Sequence, residues 1–164
     1  MSDAGETGAP PATARPSSLE GRSEAQLAAI YQELLLDHYR RPRNKGPLDA
    51  PDATAERRNP LCGDELRLAL AFDGDVVREA RFTGRGCSIS QASASMLTEA
   101  VRGRTRAEAA ALLARFTEFV HGRAPGDDMP GDLRAFGGVW RFPARIGCAT
   151  LAWSALAEGL GAGR

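Results

Sequence analysis

Asn59-Pro60-Leu61-Cys62-Gly63-Asp64-Glu65-Leu66-Arg67-Leu68-Ala69-Leu70-Ala71-Phe72-Asp73-Gly74 is the stretch that decides the fold. It opens as a loop punctuated by Pro60 and Gly63. It then alternates, with Leu66, Leu68, Leu70 and Phe72 on one side and Glu65, Arg67, Ala69 and Ala71 on the other. Successive side chains of an extended chain point to opposite faces, so the pattern predicts a half-buried strand. Asp73-Gly74 is a turn signal, and residues 76–83 read as the returning strand. A fainter strand is expected over residues 53–58. Two strands alone are marginal in water, so a third strand or a helical cover is required.

Helical periodicity flanks the hairpin on both sides. Residues 22–39 combine a capping box, Ser23 with Gln26, with Leu27, Ile30, Tyr31, Leu34, Leu35 and His38 at helical spacing. Pro42 stops that helix. The basic run from Arg40 to Lys45 fits either a solvated helix end or a partner-docking patch. After the hairpin, Gly84-Arg85-Gly86-Cys87 leads into a second helix. Its apolar side carries Ile89, Ala92, Met96, Ala100 and Val101, and the remainder is made small and polar by Ser88, Ser90, Ser93 and Ser95. Thr105 with Glu108 caps a third helix running through Leu112, Leu113, Phe116 and Val120. Residues 122–130 read as loop and residues 132–136 as a short helix. Phe142-Pro143-Ala144-Arg145-Ile146-Gly147-Cys148 enters a last helix that buries Leu151, Ala152, Ala155 and Leu156. The expected fold class is α+β, a small antiparallel sheet of about three strands packed against helices.

The chain has 164 residues with 21 basic and 21 acidic side chains, a balance that argues against nucleic-acid binding by bulk cationic attraction. No apolar run approaches the roughly 20 residues that span a bilayer. The Pro/Ala/Gly/Ser-rich residues 1–21 read as a disordered lead-in without an export signal, and residues 22–164 as a single domain. A cytoplasmic protein with reduced thiols is therefore expected.

The chain's three cysteines, Cys62, Cys87 and Cys148, all fall at element boundaries, Cys62 in the loop and the other two before helices. A cysteine at a helix start meets bare N–H groups and the positive dipole end, which favour the thiolate that binds metal or attacks sulfur. Taken singly, each fits equally well as a small buried apolar residue. Asp64 shares the parity of Cys62, so both can lean towards one point, although capping a turn beside Gly63 is its simpler role. A Cys3Asp set suits tetrahedral zinc, and its excess negative charge calls for nearby cations such as Arg145 and Arg85. No phosphate loop or dinucleotide fingerprint is present. Ser90, Ser93 and Ser95 show no convincing histidine partner for a hydrolase. His38 reads as packing and His121 as a helix cap or an exposed residue.

Several blocks together resemble the IscU/SufU iron–sulfur assembly family, and its SufU branch most closely. They are Asp37-His38-Tyr39-Arg40-Arg41-Pro42-Arg43-Asn44-Lys45-Gly46, Asn59-Pro60-Leu61-Cys62-Gly63-Asp64, the run from Gly84 to Met96, and Arg145-Ile146-Gly147-Cys148-Ala149-Thr150-Leu151. The resemblance implies zinc held by Cys62, Asp64, Cys87 and Cys148. It implies a zinc-dependent sulfurtransferase that accepts persulfide sulfur from a SufS-type cysteine desulfurase and passes it to a SufBCD-type cluster assembly scaffold. In that scheme a histidine of the desulfurase takes over a zinc coordination place and frees Cys62 to attack, with Arg145 stabilising the anionic transfer state. The alternative is a scaffold on which the iron–sulfur cluster itself is assembled. Gly147 stands where scaffold members carry histidine and SufU-like members often carry lysine, which favours sulfur transfer and suggests that Gly147 eases the turn into the last helix.

Overall fold

The first helix, α1 (Glu24–Arg40), starts on the expected capping box. Ser23 Oγ accepts the Gln26 N–H at 3.1 Å and Gln26 Oε1 accepts the Ser23 N–H at 2.7 Å. Both bonds satisfy donors that a helix start leaves bare. This computed structural model describes residues 23–126 and 129–161; the lead-in, Arg22, Asp127, Asp128 and residues 162–164 lie outside the described residues. After α1 come β1 (Ala53–Asn59), β2 (Asp64–Asp73), β3 (Val76–Arg85), α2 (Ser88–Val101), α3 (Arg106–Val120), two short 3-10 helices (Gly131–Phe136 and Val139–Arg141) and α4 (Pro143–Gly161). Thr105 and Glu108 begin α3 with the second expected box.

The strands form one antiparallel sheet in the order β1-β2-β3, with Asn59 opposite Asp64 and Leu68 opposite both Ala55 and Phe82. Its inner face is covered by α4, across β1 and β2, and by α2, across β3. The alternation of β2 holds only in part. Leu66, Leu68 and Leu70 are buried as expected, but so are Ala69 and Ala71, while Phe72 is only half buried. The pairing passes from Ala71–Glu79 to Phe72–Val77, so Arg78 is an unmatched bulge residue. The bulge breaks the period, and Phe72 stands under the Arg106 guanidinium, 3.7 Å from the ring centroid.

The basic run after α1 turns inward. Arg41 and Arg43 both bind Asp37 and hold its carboxyl down from 3.8 to about 2, chiefly through their hydrogen bonds. Lys45 Nζ donates to Gln91 Oε1 at 2.8 Å, and the backbone at Asn44 and Gly46 bonds Phe82, closing the outer edge of β3.

Helix α2 is enclosed on nearly every side, which corrects the expectation of a polar serine face. Ser90, Gln91, Ser93, Ser95 and Thr98 are all buried, because α1, α4, β3 and the Gly131–Phe136 helix pack around it. The hydroxyls find partners across these contacts. Ser93 Oγ donates to the Ala149 carbonyl at 2.6 Å and accepts the Trp153 indole N–H at 3.0 Å. Ser95 also meets a histidine, contrary to expectation: His38 Nδ1 lies 2.8 Å from Ser95 Oγ, and His38 Nε2 lies 3.0 Å from Asp132 Oδ2. The set is oriented unlike a hydrolytic triad, since the serine sits at Nδ1, is fully buried, and accepts the Arg43 N–H. His38 thus ties α1 to α2 and to the 3-10 helix, a packing role as expected. Ser93→Ala is expected to destabilise the fold by about 1–3 kcal/mol by orphaning the buried Trp153 N–H, measurable as a lower urea midpoint at unchanged slope.

Phe116 stacks on Trp153 with centroids 4.3 Å apart and meets Phe136 edge-on at 5.6 Å, locking α3 and the 3-10 helix to α4. No described helix is long and apolar enough to cross a membrane.

Candidate metal centre

The turn between β1 and β2 is built by Asn59. Its carbonyl accepts the Gly63 N–H at 2.8 Å and its side-chain Oδ1 accepts the Leu61 N–H at 3.0 Å. Gly63 supplies the left-handed residue, at φ 75°, that returns the chain into β2. Leu61 and Cys62 are carried to the exposed apex, with Leu61 90% exposed. Asp64, the first residue of β2, faces inward and is only 3% exposed.

Cys87 is the N-cap of α2, as its place after Gly86 predicts. Cys148 departs from expectation. Pro143, whose missing N–H is harmless in a first turn, begins α4, so Cys148 lies inside the helix rather than ahead of it. The bare-donor argument for its thiolate therefore fails. Burial, followed by hydrogen bonding to Cys87 and Cys62, pushes the Cys148 thiol well above the ordinary thiol range. Gly147 also lies within α4 and eases no turn; a Cβ there would stand 3.2 Å from Asn59 Nδ2, so its bareness admits the Cys62 turn against the helix.

Three of the four expected ligands converge as a set. The ligand atoms of Cys62, Asp64 and Cys148 lie within 4.8 Å of one another, the one such set among the described residues. Cys87 stands outside that mutual set but touches it, its Sγ 3.5 Å from Asp64 Oδ2. Two edges test the fit of an ion. Cys62 Sγ and Cys148 Sγ are 3.7 Å apart, and the Cys87–Asp64 edge is 3.5 Å. Tetrahedral bonds of about 2.3 Å to sulfur and 2.0 Å to oxygen give edges of roughly 3.8 and 3.5 Å. The donor set could therefore coordinate a metal ion.

Burial alone would raise the Asp64 carboxyl. Hydrogen bonds from the Cys62 thiol, the Cys87 amide and thiol, and the Ser90 hydroxyl outweigh it and leave the carboxyl below its usual value. The Cys87 N–H reaches Asp64 Oδ1 at 3.1 Å, and the bareness of Gly86 makes room for that carboxylate, since a Cβ would fall 2.7 Å from Oδ1. Asn59, Gly86 and Ser90 are supporting residues that sequence reasoning missed; an Asn opening a Pro/Gly turn is a signal for Asn59 alone.

The two cations expected to offset the charge differ. Arg85 is turned to Glu65, 3.8 Å away on the outer sheet face. Arg145 is exposed on the first turn of α4 and has no ion pair among the described residues. His121 caps α3 as expected, its Nδ1 at 2.7 Å from the Thr117 carbonyl.

A proton held at Cys148 has a consequence with a definite sign. Metal ions bind thiolate rather than thiol, so an ion taken up at Cys148 would expel that proton. Titrating metal-free protein with a zinc salt in weak buffer is expected to release protons, with affinity rising as pH rises. In the metal-free state the raised thiol stabilises the fold below the ordinary value of 9.0, and that contribution is lost as pH climbs above it.

The chain is similar in sequence and fold to known proteins. The model of the NifU-like N-terminal domain matches residues 30–162. The zinc-dependent sulfurtransferase SufU of Bacillus subtilis is 44% identical over 137 residues, which span 83% of this chain and 92% of that protein. The iron–sulfur cluster assembly scaffold protein IscU of Streptococcus pyogenes is 42% identical over 137 residues, 83% of this chain and 86% of its own. A solved structure from Fervidobacterium islandicum, described as a candidate scaffold protein for the SUF system, superposes with a TM-score of 0.72 at 30% identity, covering 80% of this chain and 97% of that one.

Proposed function

The chain belongs to the NifU-like N-terminal domain family, that of the IscU/SufU iron–sulfur cluster assembly proteins, and from that membership we propose that it is a zinc-dependent sulfurtransferase whose acceptor is Cys62. Cys62, Asp64, Cys87 and Cys148 hold the zinc. Bound zinc keeps the thiolates deprotonated and shielded from oxidation. The observation that carries the reading is the contrast in exposure: Cys62 stands at an open apex, Cys87 is half buried and Cys148 is buried in α4. Of the three cysteines, Cys62 is the most open to another protein's active site.

The donor in this reading is a SufS-type cysteine desulfurase carrying a persulfide. The Cys62 thiolate attacks the terminal sulfur, a new S–S bond forms, the donor's S–S bond breaks, and the donor cysteine leaves as thiolate. Asp64, Cys87 and Cys148 keep their places on rigid elements while the turn delivers the sulfur. Arg145 supplies a cation to the anionic transfer. The recipient is a SufBCD-type assembly scaffold, and residues 22–164 act as one zinc-binding domain. Similarity to the streptococcal scaffold keeps a second reading in play, in which a cluster is assembled on the same cysteines.

Mixing the zinc-loaded chain with its desulfurase and cysteine, then mapping adducts by mass spectrometry, separates the two. Sulfur transfer places a persulfide on Cys62 in a colourless protein. Cluster absorbance that survives gel filtration, or persulfide confined to Cys87 or Cys148, would reject the assignment.

A further inference from the structure

We propose that the groove between α1 and residues 135–142 is the seat of an acidic, apolar-anchored segment of the sulfur-donating desulfurase. The inference rests on the sulfur-transfer reading for the identity of that partner. The groove encloses about 570 Å³. Tyr31, Leu35 and Leu36 of α1 form one wall, Val139 and Phe142 the other, and Ile89 of α2 closes it.

Three observations fix the occupant. The first is place. Ser88 and Ile89, which directly follow Cys87, line the groove, and so do Phe142 and Arg145 at the start of the helix that carries Cys148. A segment seated there grips both elements that position the buried sulfurs. The second is anchoring. Phe142, which lines the groove, is 62% exposed. An exposed aromatic ring in an apolar groove is a residue type that dominates interfaces. The third is charge. The charged side chains lining the groove are Arg141 and Arg145, with no carboxylate among them. Arg141 already holds an exposed carboxylate, Glu24, at 3.1 Å, a site that a partner's acid can take over. A second copy meeting this face symmetrically would set the same arginines against each other, which disfavours self-association here.

Direct binding of the full, zinc-loaded chain to its desulfurase, followed by calorimetry, tests this whether or not sulfur moves. Arg141→Glu and Gln32→Glu, the latter an exposed position on the α1 wall, are each expected to weaken binding by about tenfold or more. Phe142→Ala is expected to weaken it several-fold. Zinc content, circular dichroism and the maximal activation rate at saturating chain should stay unchanged. Unaltered affinity in all three variants overturns the groove as the docking seat and leaves the role of Cys62 untouched. Missing persulfide on Cys62 of the unsubstituted chain, with binding still weakened by the variants, fails the transfer reading alone. A dimer that Phe142→Ala dissolves, or tighter desulfurase binding after removal of residues 1–22, would assign the groove to a second copy or to the lead-in and overturn the proposal.

Discussion

Cys62→Ser is expected to abolish persulfide uptake and desulfurase activation, a loss on the order of a thousandfold or more, while the protein stays folded. The expectation follows from where the sulfur sits. Cys62 is exposed, and the two hydrogen bonds that hold its turn run to Asn59 from the backbone of Leu61 and Gly63, so the turn does not depend on the Cys62 side chain. Serine at the apex leaves Asp64, Cys87 and Cys148 in place, and zinc should be retained with weaker affinity. Circular dichroism and thermal melting check the fold, metal analysis checks the ion, and steady-state desulfurase kinetics read the loss. Near-normal activation by folded Cys62→Ser would remove Cys62 from the chemistry. Failure only through unfolding would recast the metal as structural.

Gly86→Ala is expected to damage the centre from outside the ligand set. Its Cβ would stand 2.5 Å from Ser90 Oγ and 2.7 Å from Asp64 Oδ1. Real contacts are never so short, so Ser90 must rotate and the Asp64 carboxylate must move. That movement removes the acceptor of the Cys87 N–H and would withdraw one of the four proposed ligands. Overpacking of this kind costs about 1–3 kcal/mol, and displaced groups around a metal typically cost on the order of 10- to 100-fold in affinity. A competition titration with a zinc chelator measures the second, and urea unfolding the first. Gly103→Ala is the control: its φ of +83° is unfavourable for alanine, but no atom lies within 4 Å of the added Cβ. It should lose some stability and keep its zinc affinity.

Much of this was legible in the sequence because the signals were local. Ser23 with Gln26 and Thr105 with Glu108 fixed two helix starts, since a capping box involves only one turn of chain. The Leu66, Leu68 and Leu70 alternation and the turn at Gly74 fixed the hairpin. What escaped was set by contacts distant in the chain. The burial of Ser93 and Ser95 depends on Trp153, Ala149 and His38, on other helices. The bulge at Arg78, which turns Phe72 outward, lies in the partner strand. The start of α4 is readable at Pro143, which marks a first helical residue, whereas reading Gly147 as easing the turn into the helix puts the start too late. That reading puts Cys148 in the wrong electrostatic setting, although its sulfur still converges with Cys62 and Asp64. For the centre itself, three separated cysteines suggested a site, yet the pairing of Asp64 with Gly86 across two elements could be seen only once the chain was folded.

Zinc-edge X-ray absorption on the chain as purified, without chelators, goes straight to the heart of the matter. One zinc per chain with three sulfur neighbours at about 2.3 Å and one oxygen near 2.0 Å, falling to two sulfurs in Cys62→Ser, is the expected spectrum. Absence of stoichiometric zinc, or a first shell unchanged when Cys62 is replaced, would contradict a centre that gathers Cys62, Asp64, Cys87 and Cys148 around one ion.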